Sequence, residues 1–136
     1  MNKAGKAVGR GSTLPDHVQH ALFWPRPNIV QDLGTLGGKE STAHDINDKG
    51  FVVGSSNTRS GARLAFIWHA NLGMQSLGTL GGVNSEAFAI NAKGQIVGAS
   101  QTASGEQHAT LWEVQFTTIF TSVDDSAPTS VIPASK

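Results

Sequence analysis

Five histidines are the residues of this chain best suited to binding a metal ion or transferring protons: His17, His20, His44, His69 and His108. Zinc sites draw their ligands from closely spaced histidines and cysteines, and this chain contains no cysteine. Only His17 and His20 have the spacing of such a pair, and they lie at the edge of a variable polar loop. We therefore interpret the histidines as structural or solvated residues and predict no metal site from them.

A second candidate metal site is the segment Asp45–Gly50, whose acidic and amide residues faintly resemble a calcium-binding loop. Such a loop requires oxygen ligands at alternating positions and a closing carboxylate that binds through both of its oxygens. Lys49 takes the fifth position, and no Glu follows at the required distance. The matching segment later in the chain has Ala89 and Ala92 at the positions of the two aspartates. We interpret both segments as hairpin turns and predict no metal or cofactor.

The residue patterns typical of known enzymes are absent from the sequence. There is no G-x-S-x-G elbow, no H-E-x-x-H motif and no Gly-rich phosphate-binding loop ahead of a helix, and a cysteine nucleophile is impossible. The one adjacent pair of carboxylates, Asp124-Asp125, lies in a tail where the repeat pattern has faded. We predict that the protein is not an enzyme and has no catalytic residues.

The elements that position these side chains recur along the chain at intervals of about 44 residues. Three landmarks repeat in phase, namely a tryptophan, a hexapeptide and a nine-residue segment. The tryptophans are Trp24, Trp68 and Trp112; the hexapeptide LGTLGG is Leu33–Gly38 and Leu77–Gly82; the nine-residue segment is Met1–Gly9, Ile46–Gly54 and Ile90–Gly98. Residues 1–136 thus form a single repeat domain with units of about 1–45, 46–89 and 90–133, the last of them degenerate.

Each unit is predicted to contain four short β-strands, which in the middle unit are residues 51–55, 63–69, 74–77 and 86–90. The turns at Asn47–Gly50 and Asn91–Gly94 carry Asn, which can cap a turn, and Gly, which accepts a positive φ. We expect these hairpin turns to join the last strand of one unit to the first strand of the next. In residues 63–69 both alternating faces are apolar, which is typical of a strand buried between two sheets.

Four short strands per repeat is the period of a propeller blade. Sixteen glycines and a charged fraction of only 15% also favour turn-rich β structure over long helices. We predict an all-β fold of three tandem four-stranded repeats, packed as β-propeller-like blades with the tryptophans in the core. Two alternatives stay open: a β-trefoil for the fold, and a sugar-stacking platform for the tryptophans.

Sequence variation between the units is concentrated in three polar segments, residues 10–19, 56–62 and 100–107. Loops displayed by a rigid repeat scaffold are common recognition sites, although surface loops also vary simply because they tolerate substitution, and this alternative stays open. The sequence therefore favours a binding module for a polymer or glycan. The alternative is a structural or self-assembling repeat unit with no small-molecule ligand.

Charge and hydropathy restrict the possible partners. Ten basic residues balance ten acidic residues without a basic cluster, so we expect no nucleic-acid partner. No apolar run reaches the 18 residues of a membrane span, and the N terminus shows no signal peptide. A row of three blades leaves an apolar face at each end, so we expect a homo-oligomer, a dimer that completes a six-bladed ring.

The landmarks together resemble the HAF-type bacterial extracellular repeat family over residues 1 to about 112. The similarity is carried by I-N-x-x-G-x-x-V-G, by the strand that ends in tryptophan, and by Gln31–Gly38 (QDLGTLGG). The name-giving His-Ala-Phe triplet is present in part at residues 20–22, 64–66 and 108–110. The resemblance implies a secreted or surface-associated bacterial repeat protein of propeller type, with no established catalytic activity, so the expected ligand is an extracellular polymer or glycan.

Overall fold

The computed structural model describes residues 2–12, 18–114, 118–123 and 128–133, with the backbone alone from residue 114 onward. Its strands are β1 (Ala7–Ser12), β2 (Gln19–Arg26), β3 (Ile29–Asp32), β4 (Gly37–Ile46), β5 (Val52–Thr58), β6 (Arg63–His69), β7 (Gly73–Ser76), β8 (Gly81–Ile90), β9 (Gln95–Thr102), β10 (Gln107–Val114), β11 (Thr118–Val123) and β12 (Pro128–Pro133). No helix occurs in these residues, so none there could cross a bilayer. The predicted all-β class is confirmed.

The strands form three antiparallel sheets that follow one another along the chain. The first sheet has the order β1-β2-β3, the second β4-β5-β6-β7 and the third β12-β11-β10-β9-β8. Neighbours in each sheet are also neighbours in sequence, so hairpins connect the strands within a sheet. The second sheet is therefore a four-stranded meander, as expected for one repeat.

The structure groups the strands differently from the sequence prediction. Residues 86–90, expected to end one unit, belong to β8, which begins the third sheet. The turn at Asn47–Gly50 joins β4 and β5 of one sheet instead of two separate units. The physical reason is distance. A tight turn leaves its two strands hydrogen-bonded to each other at about 5 Å, whereas stacked sheets lie about 10 Å apart, so a hairpin turn cannot make the crossing between sheets. The crossing falls at residues 77–80, where the N–H of Leu77 still bonds to Ala65 in the second sheet and the N–H of Leu80 bonds to Ser100 in the third.

The chemistry of the hairpin turns agrees with the prediction. The side-chain Oδ1 of Asn47 accepts hydrogen bonds of 3.0 Å from the main-chain N–H groups of Lys49 and Phe51. Gly50 has a φ of 87°, in the region that favours glycine. Asn2 and Asn91 cap their own turns in the same way.

The sheets stack through apolar side chains on both of their faces. In β6, Phe66 and Trp68 belong to a core cluster shared with the first sheet. Ala65 and Ile67, on the opposite face, belong to a second cluster shared with the third sheet. The prediction that residues 63–69 form a strand buried between two sheets is confirmed, with those bounds.

The three tryptophans differ in burial because their neighbours differ. Trp68 and Trp112 are buried, with 6% and 0% of their surface exposed, and each packs between two sheets. Trp24 is only half-buried, and it does not belong to the cluster between the first and second sheets. The core prediction is thus confirmed for two of the tryptophans and only partly met by Trp24.

The end of the chain departs from the repeat. Strand β12 lies about 44 residues after β8, and β8 and its counterpart β4 each begin a new sheet. Strand β12 instead pairs with β11 and extends the third sheet at its edge. Asp124-Asp125, the carboxylate pair singled out in the sequence, lies outside the described residues.

Candidate functional site

The four histidines that the structure describes lie apart from one another and contact carboxylates or main-chain groups. His20 Nδ1 lies 2.9 Å from both carboxylate oxygens of Asp32, and its Nε2 lies 3.1 Å from the main-chain oxygen of Lys39. His44 Nε2 lies 2.8 Å from Glu86 Oε2, which places a polar contact between β4 and β8. These histidines connect neighbouring sheets.

No cluster of metal ligands forms in the part of the chain that the structure describes, where no three His, Asp or Glu side chains converge. His17, one half of the pair noted in the sequence, lies outside the described residues. His69 Nε2 lies 3.3 Å from the main-chain oxygen of Lys49, and His108 Nε2 lies 3.8 Å from Glu106 Oε1.

A serine, a glutamate and a histidine meet between the second and third sheets. The fully buried Ser55 has its Oγ 3.5 Å from Glu86 Oε2, and His44 approaches the same oxygen. In a hydrolase triad the histidine stands between the serine and the carboxylate so that it can take the hydroxyl proton. Here the carboxylate stands in the middle, so this arrangement supports a link between sheets and does not activate Ser55.

The acidic residues of the segment Asp45–Gly50 bond to main-chain groups. Asp45 accepts a hydrogen bond of 2.9 Å from the N–H of Ile46 and one of 2.8 Å from the N–H of Ile90 in the third sheet. Asp48 accepts one of 2.8 Å from the N–H of Lys3, which precedes the first sheet. Their oxygens therefore serve neighbours on opposite sides of the second sheet.

The turn asparagines form a chain of hydrogen bonds across the sheets, which we call the asparagine ladder. Asn2 Nδ2 donates to the main-chain oxygen of Asn47 at 2.9 Å, and Asn47 Nδ2 donates to that of Asn91 at 3.1 Å. The sequence predicts Asn47 and Asn91 only as caps of their own turns, and it assigns no role to Asn2. The recurrence of Asn in every unit was the available signal, because a turn cap alone can also be Asp or Ser.

Two buried serines also join the sheets, a role that was not predicted from the sequence. Ser41 Oγ accepts a hydrogen bond from the N–H of Ala21 at 2.8 Å and donates to the oxygen of Gly34 at 2.6 Å. Ser85, its counterpart in the third sheet, makes the same two bonds one repeat later. Its Oγ accepts from the N–H of Ala65 at 2.9 Å and donates to the oxygen of Gly78 at 2.8 Å. The only signal in the sequence was that Ser41 and Ser85 occupy the same position in two units, 44 residues apart.

The repeated LGTLGG corners lie against the variable loops, and we call this side of the molecule the loop edge. Leu36 N–H donates to Ser56 Oγ at 2.8 Å, and Leu80 N–H donates to Ser100 Oγ at the same distance. A Cβ at Gly38 would lie 2.6 Å from the Cβ of Asn57, so glycine is required for the close approach of corner and loop. The second and third sheets thus present the same backbone at the loop edge.

Two shallow grooves flank the loop between β5 and β6. One, of about 460 Å³, has polar and charged side chains, and we call it the charged groove; its lining includes Lys39, Glu40, Asn57 and Arg59. The other, of about 400 Å³, is lined mostly by small and apolar residues, among them Ala62, Leu64 and Val83. The segment 56–62, singled out in the sequence as variable, therefore lines both grooves.

The charged groove changes its chemistry from one repeat to the next. Val83 and Asn84 stand in the third sheet where the second has Lys39 and Glu40, and Ala103 replaces Arg59. The hydrogen bonds that the hydroxyls of Thr35 and Thr79 make to the backbone of the corner are the same in both sheets. The fold therefore does not depend on these charges, which leaves them available for a ligand.

Comparison with protein-family models, with curated proteins and with solved structures found no significant match to this chain.

Proposed function

We propose that this chain is a non-catalytic β-repeat protein that binds an extracellular polymer or glycan at the loop edge, and that the ligand is acidic. The observation that carries the proposal is the change of the charged groove between repeats that share one backbone. Packing requirements would keep equivalent positions alike, as they do for Ser41 and Ser85. Positions that vary on a constant scaffold are the usual place for recognition.

The charge of the groove indicates the ligand class. Lys39 and Arg59 are exposed, and neither has an ion-pair partner among the described residues. Two cations beside one carboxylate favour an anionic ligand, and Arg can bind a carboxylate or sulfate group through two parallel hydrogen bonds. A shallow open groove suits a chain-like polymer, because both ends of the ligand can continue past it. An acidic polysaccharide has this chemistry.

We propose further that the three sheets are propeller-type blades, and the resemblance to the HAF-type repeat family supports both this architecture and an extracellular location. The second sheet is a four-stranded meander that is covered on both faces by its neighbours. Among the described strands, the first and third sheets make no extensive contact. A row of stacked sheets supports blades over a trefoil, whose three units would all meet around one axis.

The binding proposal is tested with immobilised polysaccharides, both acidic and neutral, at physiological salt. We expect the chain to be retained by uronate-rich or sulfated polymers and to elute at higher salt, because the attraction is screened. The double variant Lys39→Ala/Arg59→Ala should weaken retention by at least about tenfold.

The matched control is Lys49→Ala/Lys93→Ala, which removes the same two charges from exposed hairpin turns outside the charged groove. It should bind like the unmodified chain. Equal weakening by the two double variants would attribute the binding to net charge alone, and failure to bind any polymer of the panel would overturn the proposal.

A further inference from the structure

The outer face of the third sheet is built like a packed face, yet it is exposed. Val97 in β9 is 50% exposed, whereas its counterpart Val53 in the second sheet is 0% exposed and packs against the third sheet. Ala109 in β10 is also exposed, whereas its counterpart Ala65 is 0% exposed. In the first two sheets the following sheet covers this face. Among the described residues, nothing covers it in the third.

The first sheet presents the matching surface on its side away from the second sheet. Trp24 pairs with Ala7 across β1 and β2, as Trp68 pairs with Val52 across β5 and β6. Trp68 and Val52 are buried against the preceding sheet. Trp24 and Ala7 have no preceding sheet and are half-buried. Leu22, the counterpart of Phe66 on this face, is only 5% exposed, so the open part of the surface is the part around Trp24 and Ala7. With that part, the molecule carries both halves of its own internal interface, one at each end.

The asparagine ladder runs in one direction through the sheets, and its last amide, that of Asn91, has no following sheet to bond to among the described residues. Each step runs from the amide of one turn to the main-chain oxygen of the next turn. At the third sheet the amide of Asn91 donates instead to Gln95 Oε1 of its own turn, at 2.8 Å. Asn91 is exposed, whereas Asn47, which makes the full step, is 5% exposed.

We propose that the exposed face of the third sheet binds the first sheet of a second copy of this chain, head to tail. The amide of Asn91 then donates to the main-chain oxygen of Asn2 in the other copy, as Asn47 does to Asn91 within the chain. Two identical junctions of this kind close a ring of six sheets with twofold symmetry. The occupant is a second copy because the contact continues an interface that the chain already makes twice.

The junction between copies buries less apolar surface than the internal interfaces, because Ala7 stands at the position where Val52 packs against the preceding sheet. We therefore expect an assembly that dissociates on dilution.

Sedimentation velocity over about 1–100 μM chain tests the proposal. The mass should rise with concentration from 14.2 kDa to twice that value. Val97→Glu places a charge on the exposed face and should raise the dissociation constant at least about tenfold. Val83→Glu is the matched control, because Val83 is 62% exposed but lies at the loop edge, and it should leave the assembly unchanged.

Asn91→Asp isolates the ladder step. The carboxylate still accepts the hydrogen bonds that cap the turn, which come from the N–H groups of Lys93 and Gln95, but it cannot donate to a second copy. We expect a several-fold weaker association with an unchanged turn. A single species of 14.2 kDa at every concentration, or equal effects of Val97→Glu and Val83→Glu, would overturn the proposal.

The direction of the contact can be tested by cross-linking, because the chain contains no cysteine. Within the chain the N–H of Lys3 bonds to the side chain of Asp48, whose counterpart in the third sheet is Ala92. A mixture of Lys3→Cys and Ala92→Cys chains should form a mixed disulfide faster than either chain dimerises alone. Faster cross-linking of one variant with itself would contradict a head-to-tail junction.

Discussion

The side-chain amide of Asn47 donates a hydrogen bond of 3.1 Å to the main-chain oxygen of Asn91, which lies 44 residues later in the turn of the next sheet. The carbonyl oxygen of the same side chain caps the turn of Asn47 itself. One buried amide therefore holds a turn and joins two sheets, and a carboxylate could perform only the first of these tasks.

We expect Asn47→Asp to lower the free energy of unfolding by about 1–3 kcal/mol, because a carboxylate would face the Asn91 oxygen where a donor is needed. Urea denaturation at low protein concentration measures the change. Asn91→Asp is the control, since the same substitution at this exposed asparagine should cost only about 0.5 kcal/mol. Equal losses would show that the amide bond between the sheets contributes no stability.

The buried serines should contribute to the stability of the fold through the hydrogen bonds that they make between sheets. Ser41 is 0% exposed, and Ser41→Ala leaves the N–H of Ala21 and the oxygen of Gly34 without this partner. We expect a loss of about 1–3 kcal/mol in the free energy of unfolding. Ser60→Ala, at an exposed serine that bonds only to Thr58 nearby, should change it by less than about 0.5 kcal/mol. A small effect of Ser41→Ala would mean that water replaces the hydroxyl.

The tryptophans should differ in their contribution to stability. Trp68 packs between two sheets, with its ring centroid 5.5 Å from that of Phe23, so Trp68→Ala should cost about 3–5 kcal/mol. Trp24→Ala, measured at concentrations where the chain is monomeric, should cost less than about 2 kcal/mol, because Trp24 is half-buried. If Trp68→Ala lowered the free energy of unfolding by less than about 1 kcal/mol, the result would favour the alternative that the tryptophans form a sugar-stacking platform.

The hairpin turn provides a test of backbone conformation. Gly50 has a φ of 87°, which a β-branched residue adopts only with strain, so Gly50→Val should destabilise the fold by about 1–3 kcal/mol. Gly50→Asn is the control, because Asn tolerates this region better than other residues with side chains. The melting temperature should be highest for the unmodified chain, lower for Gly50→Asn and lowest for Gly50→Val. An unchanged melting temperature for Gly50→Val would contradict the turn geometry.

Local sequence determined where strands and turns occur, although of the four predicted strands only Arg63–His69 has the predicted bounds, and it determined the two apolar faces of that strand. Each of these features depends on residues within a few positions of one another. Asn47 can cap its own turn and Gly50 can adopt its own φ whatever the rest of the chain does. Alternation along a strand likewise assigns Phe66 and Ile67 to opposite faces before any neighbour is in place.

The tertiary structure alone decided which strands share a sheet and which polar groups join the sheets. Asn47 finds its second partner 44 residues away, and Ser41 finds Ala21 at a distance of 20 residues. The charged groove likewise brings together Lys39 and Arg59 from two strands' ends. No local pattern specifies such partners, because they meet only after the apolar faces of separate sheets have packed and set the distance and register between them.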